Sequence, residues 1–301
     1  MFPVAYRYQA LKEALAAAIS GRDLLPRHAA SAPDLRCPHA LAVVSGLASN
    51  GYVASLLVSR YFRLGDAGAA RKVFDAATSR PPSAAAVSPP QKTLLYNAML
   101  RGYLSRGLPW MAVGVFWEMG ACPPDRHTYH LAVMACARAS EFEVGRRVGA
   151  EAAAKGFQSD LLVATALIGM YAEAGDMSAA RMVFDEMPRR DAVAWNAIIS
   201  GYACGGHLNE AAELFMRMRS VDCVLPTEAT LVSLISGYAS FGSWEGRGMM
   251  HGIVIKSGFQ LNLFVSNALL DLYVEFGCLG EAVTLFRQMA VYFAQCDYGL
   301  R

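Results

Sequence analysis

Residues 160–190 read DLLVATALIGMYAEAGDMSAARMVFDEMPRR, and residues 50–80 read NGYVASLLVSRYFRLGDAGAARKVFDAATSR. The two stretches align without a gap. Residues 262–289, NLFVSNALLDLYVEFGCLGEAVTLFRQM, match both, and a related unit, AVAWNAIISGYACGGHLNEAAELFMRM, fills residues 192–218. One anchor position recurs at Tyr61, Tyr103, Cys136, Tyr171, Tyr202, Tyr238 and Tyr273, at spacings of 42, 33, 35, 31, 36 and 35. Thirteen residues beyond five of these anchors stand Phe74, Phe116, Phe184, Phe215 and Phe286. Self-similarity at such a period marks a repeat architecture.

Each unit has the pattern of a helix hairpin. Leu162, Val163, Ala166, Leu167, Met170 and Tyr171 make one apolar stripe at helical spacing, and Ala179, Ala180, Val183, Phe184 and Met187 make a second. Gly175 between them suits the left-handed residue that ends a helix. Neither stripe can be buried within a single hairpin. Stacking on neighbours buries both, which predicts an all-α, right-handed superhelical solenoid of helix–turn–helix repeats. The spacing of 42 contains the Pro/Ser/Ala stretch PPSAAAVSPPQ at 81–91, predicted to be an exposed loop between repeats or a hinge between half-solenoids.

The composition agrees with a folded chain. Of 301 residues, 54% are hydrophobic and 17% charged, the reverse of a disordered chain. The net charge of +2 is too small to announce a nucleic-acid partner by itself, so specific positions must carry any such case. The charge-free run from Ala40 to Ser59 is interrupted by SGLASNG, which predicts two short buried helices and a turn, with no membrane span. Seven scattered cysteines without a C-x-x-C pair read as buried thiols.

The units resemble the PLS subclass of plant pentatricopeptide repeats, in which three variants of unequal length alternate. ALIGMYAEAGD followed by AARMVFDEMPRRD is S-like, VAWNAIISGYACGGHLNEAAELFMRM is P-like, and HGIVIKSGF is L-like, as is the degenerate HALAVVSGL from His39. The order reads L, S, P, L, S, P, L, S over residues 16–293. Before it lies a 1–15 segment with weak targeting character, and after it an irregular tail at 294–301. The tetratricopeptide pattern W-x2-L-G-x2-Y is absent.

The resemblance implies a single-stranded organellar RNA partner, read about one base per repeat. In that family the fifth and last residues of a repeat meet a base edge, and the second residues clamp the base faces. The fifth residue falls six before each anchor. The implied base-reading pairs are Asn97 with Asp125, Thr165 with Asp191, and Asn196 with Thr227. Asn267 and Ser55 complete the set, the latter with Lys92 or Pro81 as its last residue. L-like repeats present His130 with Asp160 and Val232 with Asn262, and the Val232 repeat should read no base edge. The implied clamps are Leu94, Leu162, Val193 and Phe264. By the family's code, Asn with Asp selects U, Thr with Asp selects G, and Asn with Thr leans to a pyrimidine.

No nucleophile elbow, phosphate loop or dinucleotide fingerprint stands in its required context, so no enzyme and no cofactor are expected. His127 and His130 lie three apart without a third ligand in sequence, so no metal is expected. The deaminase signatures H-x-E and C-x-x-C, found at the end of many such proteins, are missing. A separate deaminase or editing-complex protein is therefore the implied partner, with RNA splicing or stability, or a protein-binding scaffold, as alternative roles. Where the other S-like repeat has MPRRD, the last has MAVYFAQCDYGLR, which suggests a truncated product whose final hairpin exposes Leu285 and Phe286. Arg7, Lys12, Arg22 and Arg27 are interrupted by Glu13 and Asp23, a weak transit signal. The expected compartment is the mitochondrion, with the chloroplast as alternative.

Overall fold

The computed structural model describes residues 39–44, 47, 50–79, 88–242 and 244–298, and contains no strand among them. The expectation of a targeting segment at 1–15 lies outside the described residues. After a short helical stretch at 39–44, helices follow in pairs. They are α1 (Gly51–Arg63) with α2 (Ala67–Thr78), α3 (Pro89–Ser105) with α4 (Pro109–Trp117), and α5 (Arg126–Arg138) with α6 (Phe142–Ala154). Then come α7 (Leu161–Glu173) with α8 (Met177–Glu186), α9 (Ala192–Cys204) with α10 (Leu208–Ser220), α11 (Glu228–Phe241) with α12 (Trp244–Lys256), and α13 (Leu263–Glu275) with α14 (Leu279–Tyr298). The all-helical hairpin stack predicted from the repeat is thus the fold.

The chain divides into two compact units, residues 1–155 and 156–301. In the first, α1 packs on α3 and α3 on α5, while α2 and α4 each lean on the first helix of the next pair. In the second, α7, α9, α11 and α13 form the same kind of row, with α8, α10 and α12 leaning likewise. Each unit therefore has two layers, with the first helices of its hairpins side by side.

The recurrent residues explain the stacking. Phe74, Phe116, Phe184 and Phe215 are buried. Three of them meet an aromatic residue of the next hairpin: Phe74 on Tyr96 at 5.0 Å and Phe184 on Trp195 at 4.7 Å, both edge to face, and Phe116 on Tyr129 at 6.1 Å. Such pairs add about 0.5–1.5 kcal/mol beyond their area. Gly175 has a φ of 75° at the turn between α7 and α8, as its position in the repeat predicted, while the α5–α6 turn places Ser140 there at a φ of 57°.

Several expectations need correction. Residues 89–91 of the expected loop begin α3, with proline in its first turn, where the missing N–H is not needed. Residues 294–298 continue α14 instead of forming an irregular tail, because no glycine or proline stands between Gly280 in its first turn and Gly299. Leu285 is buried, and only Phe286 is exposed. Not all cysteines are buried thiols, since Cys204 and Cys223 are exposed. Of the two short helices expected between Ala40 and Ser59, residues 39–44 bury only Ala42 and leave Val43 and Val44 exposed. No helix among the described residues is long and apolar enough to cross a membrane.

Candidate nucleic-acid interface

The residues assigned to the last position of a repeat share one structural place. Asp125, Asp160, Asp191, Thr227 and Asn262 are the N-caps of α5, α7, α9, α11 and α13, and each side chain accepts a backbone N–H from the first turn. Capping alone accounts for Asp, Asn or Thr there and contributes about 0.5–2 kcal/mol per cap. Lys92 is different. It lies inside α3, because that helix starts early at Pro89, and residue 81 lies outside the described residues.

The fifth-position asparagines are not explained by capping. Asn97 lies inside α3, a poor place for an asparagine on propensity grounds, and is buried. Its Nδ2 donates to Asp125 Oδ1 at 3.1 Å and Oδ2 at 3.3 Å, and its Oδ1 accepts from the Thr128 hydroxyl at 2.7 Å. Asn196 in α9 repeats the arrangement three hairpins further along the chain. Its Nδ2 donates to Thr227 Oγ1 at 2.9 Å, and its Oδ1 accepts from the Thr230 hydroxyl. The structure thus joins two of the three predicted pairs across successive hairpins.

Thr128 and Thr230 were missed by sequence reasoning. Their signal is a cap residue followed three positions later by a hydroxyl, the capping box, and both boxes are formed. The third pair is not joined. The Thr165 hydroxyl donates to Leu161 O at 2.7 Å in its own helix, and Asp191 caps Ala194 at 2.9 Å. The residue three beyond Asp191 is an alanine, so no hydroxyl is available to bridge.

The second position of the hairpins mostly carries exposed apolar side chains. Leu94, Val193 and Phe264 are 43%, 61% and 66% exposed on the first helices of their hairpins, whereas Leu162 is half-buried. A groove of about 590 Å³ opens beside the first pair, lined by Tyr52, Ser55, Leu94, Asn97, Asp125 and His127 among others. Tyr52 and His127 stand at the phase of Leu94 and were also not singled out as clamps. Ser55 is buried and donates to Tyr52 O at 2.8 Å, and Asn267 is exposed on α13. Burial raises the pKa of the Asp125 carboxyl, but hydrogen bonds from the Thr128 backbone, Asn97 and the Thr128 hydroxyl outweigh it, so the net shift is downward. The group is an ionised, acceptor-only oxygen pair at neutral pH.

Family models match the same segments. The model described as PPR repeat covers residues 94–122, 163–191 and 264–291, and that described as PPR repeat family covers 190–240. The chain carries pentatricopeptide (PPR) repeats. Its relatives are pentatricopeptide repeat-containing proteins of Arabidopsis thaliana. One is 36% identical over 206 residues, covering 67% of this chain and 34% of the relative. A second, whose name includes "chloroplastic", is 34% identical over 245 residues, covering 81% and 44%. This chain therefore spans less than half the length of these relatives. Among solved structures, PPR10 in complex with an 18-nucleotide psaJ RNA element is similar over 96% of this chain and 54% of that one, at 16% identity and a TM-score of 0.42.

The remaining PPR positions are arranged otherwise. Val232 is half-buried, and its repeat's last residue, Asn262, donates to Glu228 Oε2 at 2.8 Å while capping α13. Both faces of that amide are thereby used within the protein. His127 is exposed at the groove rim and His130 half-buried. Among the described residues no group of three His, Cys, Asp or Glu side chains could hold a metal ion. His39 and His251, at equivalent places in two L-like units, bond Tyr61 and Tyr273 through Nδ1.

Proposed function

We propose that this chain is a sequence-selective single-stranded RNA-binding protein of a plant organelle. The observation that carries the reading is the repeated bridge of Asn97 to Asp125 and Asn196 to Thr227 across adjacent hairpins. An asparagine inside a helix costs stability relative to alanine, and packing does not require an amide there. Two such amides at one phase, next to exposed apolar side chains, suit the edge and faces of an unstacked base. The amide has one N–H and one lone pair beyond those used internally. An ionised Asp125 favours a base edge that donates, as uracil N3 does, over one that presents a lone pair, as cytosine N3 does.

Within this reading, Asn97 with Asp125, Thr165 with Asp191, Asn196 with Thr227, Asn267 and Ser55 are base readers, and Leu94, Leu162, Val193 and Phe264 are clamps. The L, S, P alternation favours site recognition for C-to-U editing, with chemistry supplied by a separate deaminase. The chloroplast or the mitochondrion is the compartment, and two relatives have "chloroplastic" in their names. Crosslinking the chain to organellar RNA and sequencing the bound fragments tests the proposal. A shared short motif beside edited cytidines is the expected result, a motif confined to introns or transcript ends redirects the role to splicing or stability, and no enrichment overturns RNA recognition.

A further inference from the structure

We propose that Arg101 is a phosphate-binding residue, whose guanidinium holds the backbone phosphate of the nucleotide that Asn97 and Asp125 read. The proposal rests on the RNA-binding reading above. It adds a contact outside the base-reading and clamping positions, and that contact belongs to one hairpin.

Residues four apart on a helix are neighbours on one face, with about 5–6 Å between their Cβ atoms. Arg101 stands four residues beyond Asn97 on α3 and lines the same groove of about 590 Å³. Its side chain is exposed, and among the described residues it makes no hydrogen bond or ion pair. The positions one turn away on its own helix are Asn97, Ala98, Leu104 and Ser105, none of them acidic. Other arginines are placed differently. Arg71, Arg146 and Arg181 each pair with an acid one turn away, Asp75, Glu143 and Asp185, at 2.8, 3.1 and 2.7 Å. At the phase of Arg101 the first helices of the other six hairpins carry Ser59, Met134, Gly169, Ser200, Ser236 and Asp271. Serine or glycine suffices there for the fold, so the hairpin does not need an arginine for stacking.

The charges of the groove give the cation a task. Asp125 is held ionised by its hydrogen bonds, so the reading edge is negative. A nucleotide brings a second negative charge in its phosphate. Like charges in one groove repel, and more strongly where protein replaces water. Apart from His127, Arg101 is the cation among the described lining residues. A guanidinium offers a planar fork of N–H donors that matches two phosphate oxygens. A base held by its edge at Asn97 leaves its sugar and phosphate to lie along the groove, and Arg101 stands one turn further on that face. The Asn267 hairpin has the opposite charge at this phase, an exposed Asp271, and gives a phosphate no such hold.

The test measures affinity against salt for an RNA selected from a randomised single-stranded pool by the full chain. It compares the unsubstituted chain with Arg101→Gln, Arg101→Lys and Lys72→Gln, the last removing an exposed charge from a second helix, α2. For single strands each phosphate neutralised contributes about 0.7 to the slope of log affinity on log salt. Arg101→Gln should make the slope shallower by about 0.7 and lower affinity about tenfold at low salt. Base preferences should stay as they were, Arg101→Lys should keep the slope, and Lys72→Gln should leave it unaltered. Replacing one phosphate at a time by a neutral methylphosphonate should mark one linkage to which the unsubstituted chain is sensitive and Arg101→Gln is not. An unchanged slope in Arg101→Gln, an equal loss in Lys72→Gln, or a changed base preference in place of a changed slope overturns the proposal and leaves RNA binding standing. No binding by the unsubstituted chain overturns the RNA reading and the proposal with it. If Arg101→Gln fails to fold, as a melt would show, Arg101→Met takes its place, since methionine is as good a helix former, and the same outcomes decide.

Discussion

At the scale of single residues, the sharpest comparison is between Thr165 and Asn97. Both occupy the fifth position and both face an aspartate cap, but the threonine bonds its own helix while the asparagine bonds the aspartate. Thr165→Asn places a longer amide where the cap can be reached. Preference at that base should move from G to U, with discrimination of roughly 1–3 kcal/mol, or several-fold to about a hundredfold. Stability should change by less than about 0.5 kcal/mol. Competition binding with RNAs varied one base at a time reads the change, and unaltered preference would show that Thr165 is not a reader. Asp125 supports a second prediction. Its folded pKa is depressed, so it holds fewer protons than in the unfolded chain, and its contribution is present above the ordinary aspartate range. That contribution should be lost as pH falls through the lowered folded value. Acid titration of stability should show the loss in the unsubstituted chain and its absence in Asp125→Asn.

At the scale of elements, the hairpins approach closely because the residue before an anchor is often glycine. A Cβ on Gly102 would stand 2.0 Å from the ring of Phe62, which is itself buried in α1. Gly201 and Gly237 stand in the same relation to Ala172 and Ala203. Gly102→Ala improves helix propensity by about 1 kcal/mol, but the overlap forces α1 and α3 apart or drives the Phe62 ring out of place. Overpacking of this kind costs about 1–3 kcal/mol, so the net change should be destabilising. Urea unfolding measures it, and a variant as stable as the parent would mean that the helices slide freely past each other.

At the scale of the whole molecule, the charge balance limits how RNA is held. Lysine and arginine total 27 against 25 aspartates and glutamates, so few cations are in excess for phosphates. For single strands the logarithm of affinity falls with the logarithm of salt by about 0.7 per phosphate neutralised. Binding should show a slope shallower than about −5, because base edges and faces carry more of the affinity than backbone charge does. A steeper slope, measured by titration over 50–200 mM salt, would place the dominant contacts on phosphates.

The sequence alone determined the repeat, the hairpin within it and the phase of its polar residues. These are local properties: anchors such as Tyr171 and Tyr202, the recurring phenylalanines and the turn glycine are each written within one unit and copied in the next. The insertion was legible as composition but not as an end-point, since proline is as acceptable in the first turn of α3 as in a loop. Only tertiary structure decided what the polar residues do. Asn97 meets Asp125 and Thr128, 28 and 31 residues away, because α3 and α5 lie side by side. Thr165 and Asp191 share the same register and are not joined, because the helix offers the threonine a nearer acceptor and Ala194 supplies no hydroxyl. A periodic pattern specifies where side chains start. Which hydrogen bonds they make depends on every partner within reach, and those partners come from neighbouring repeats.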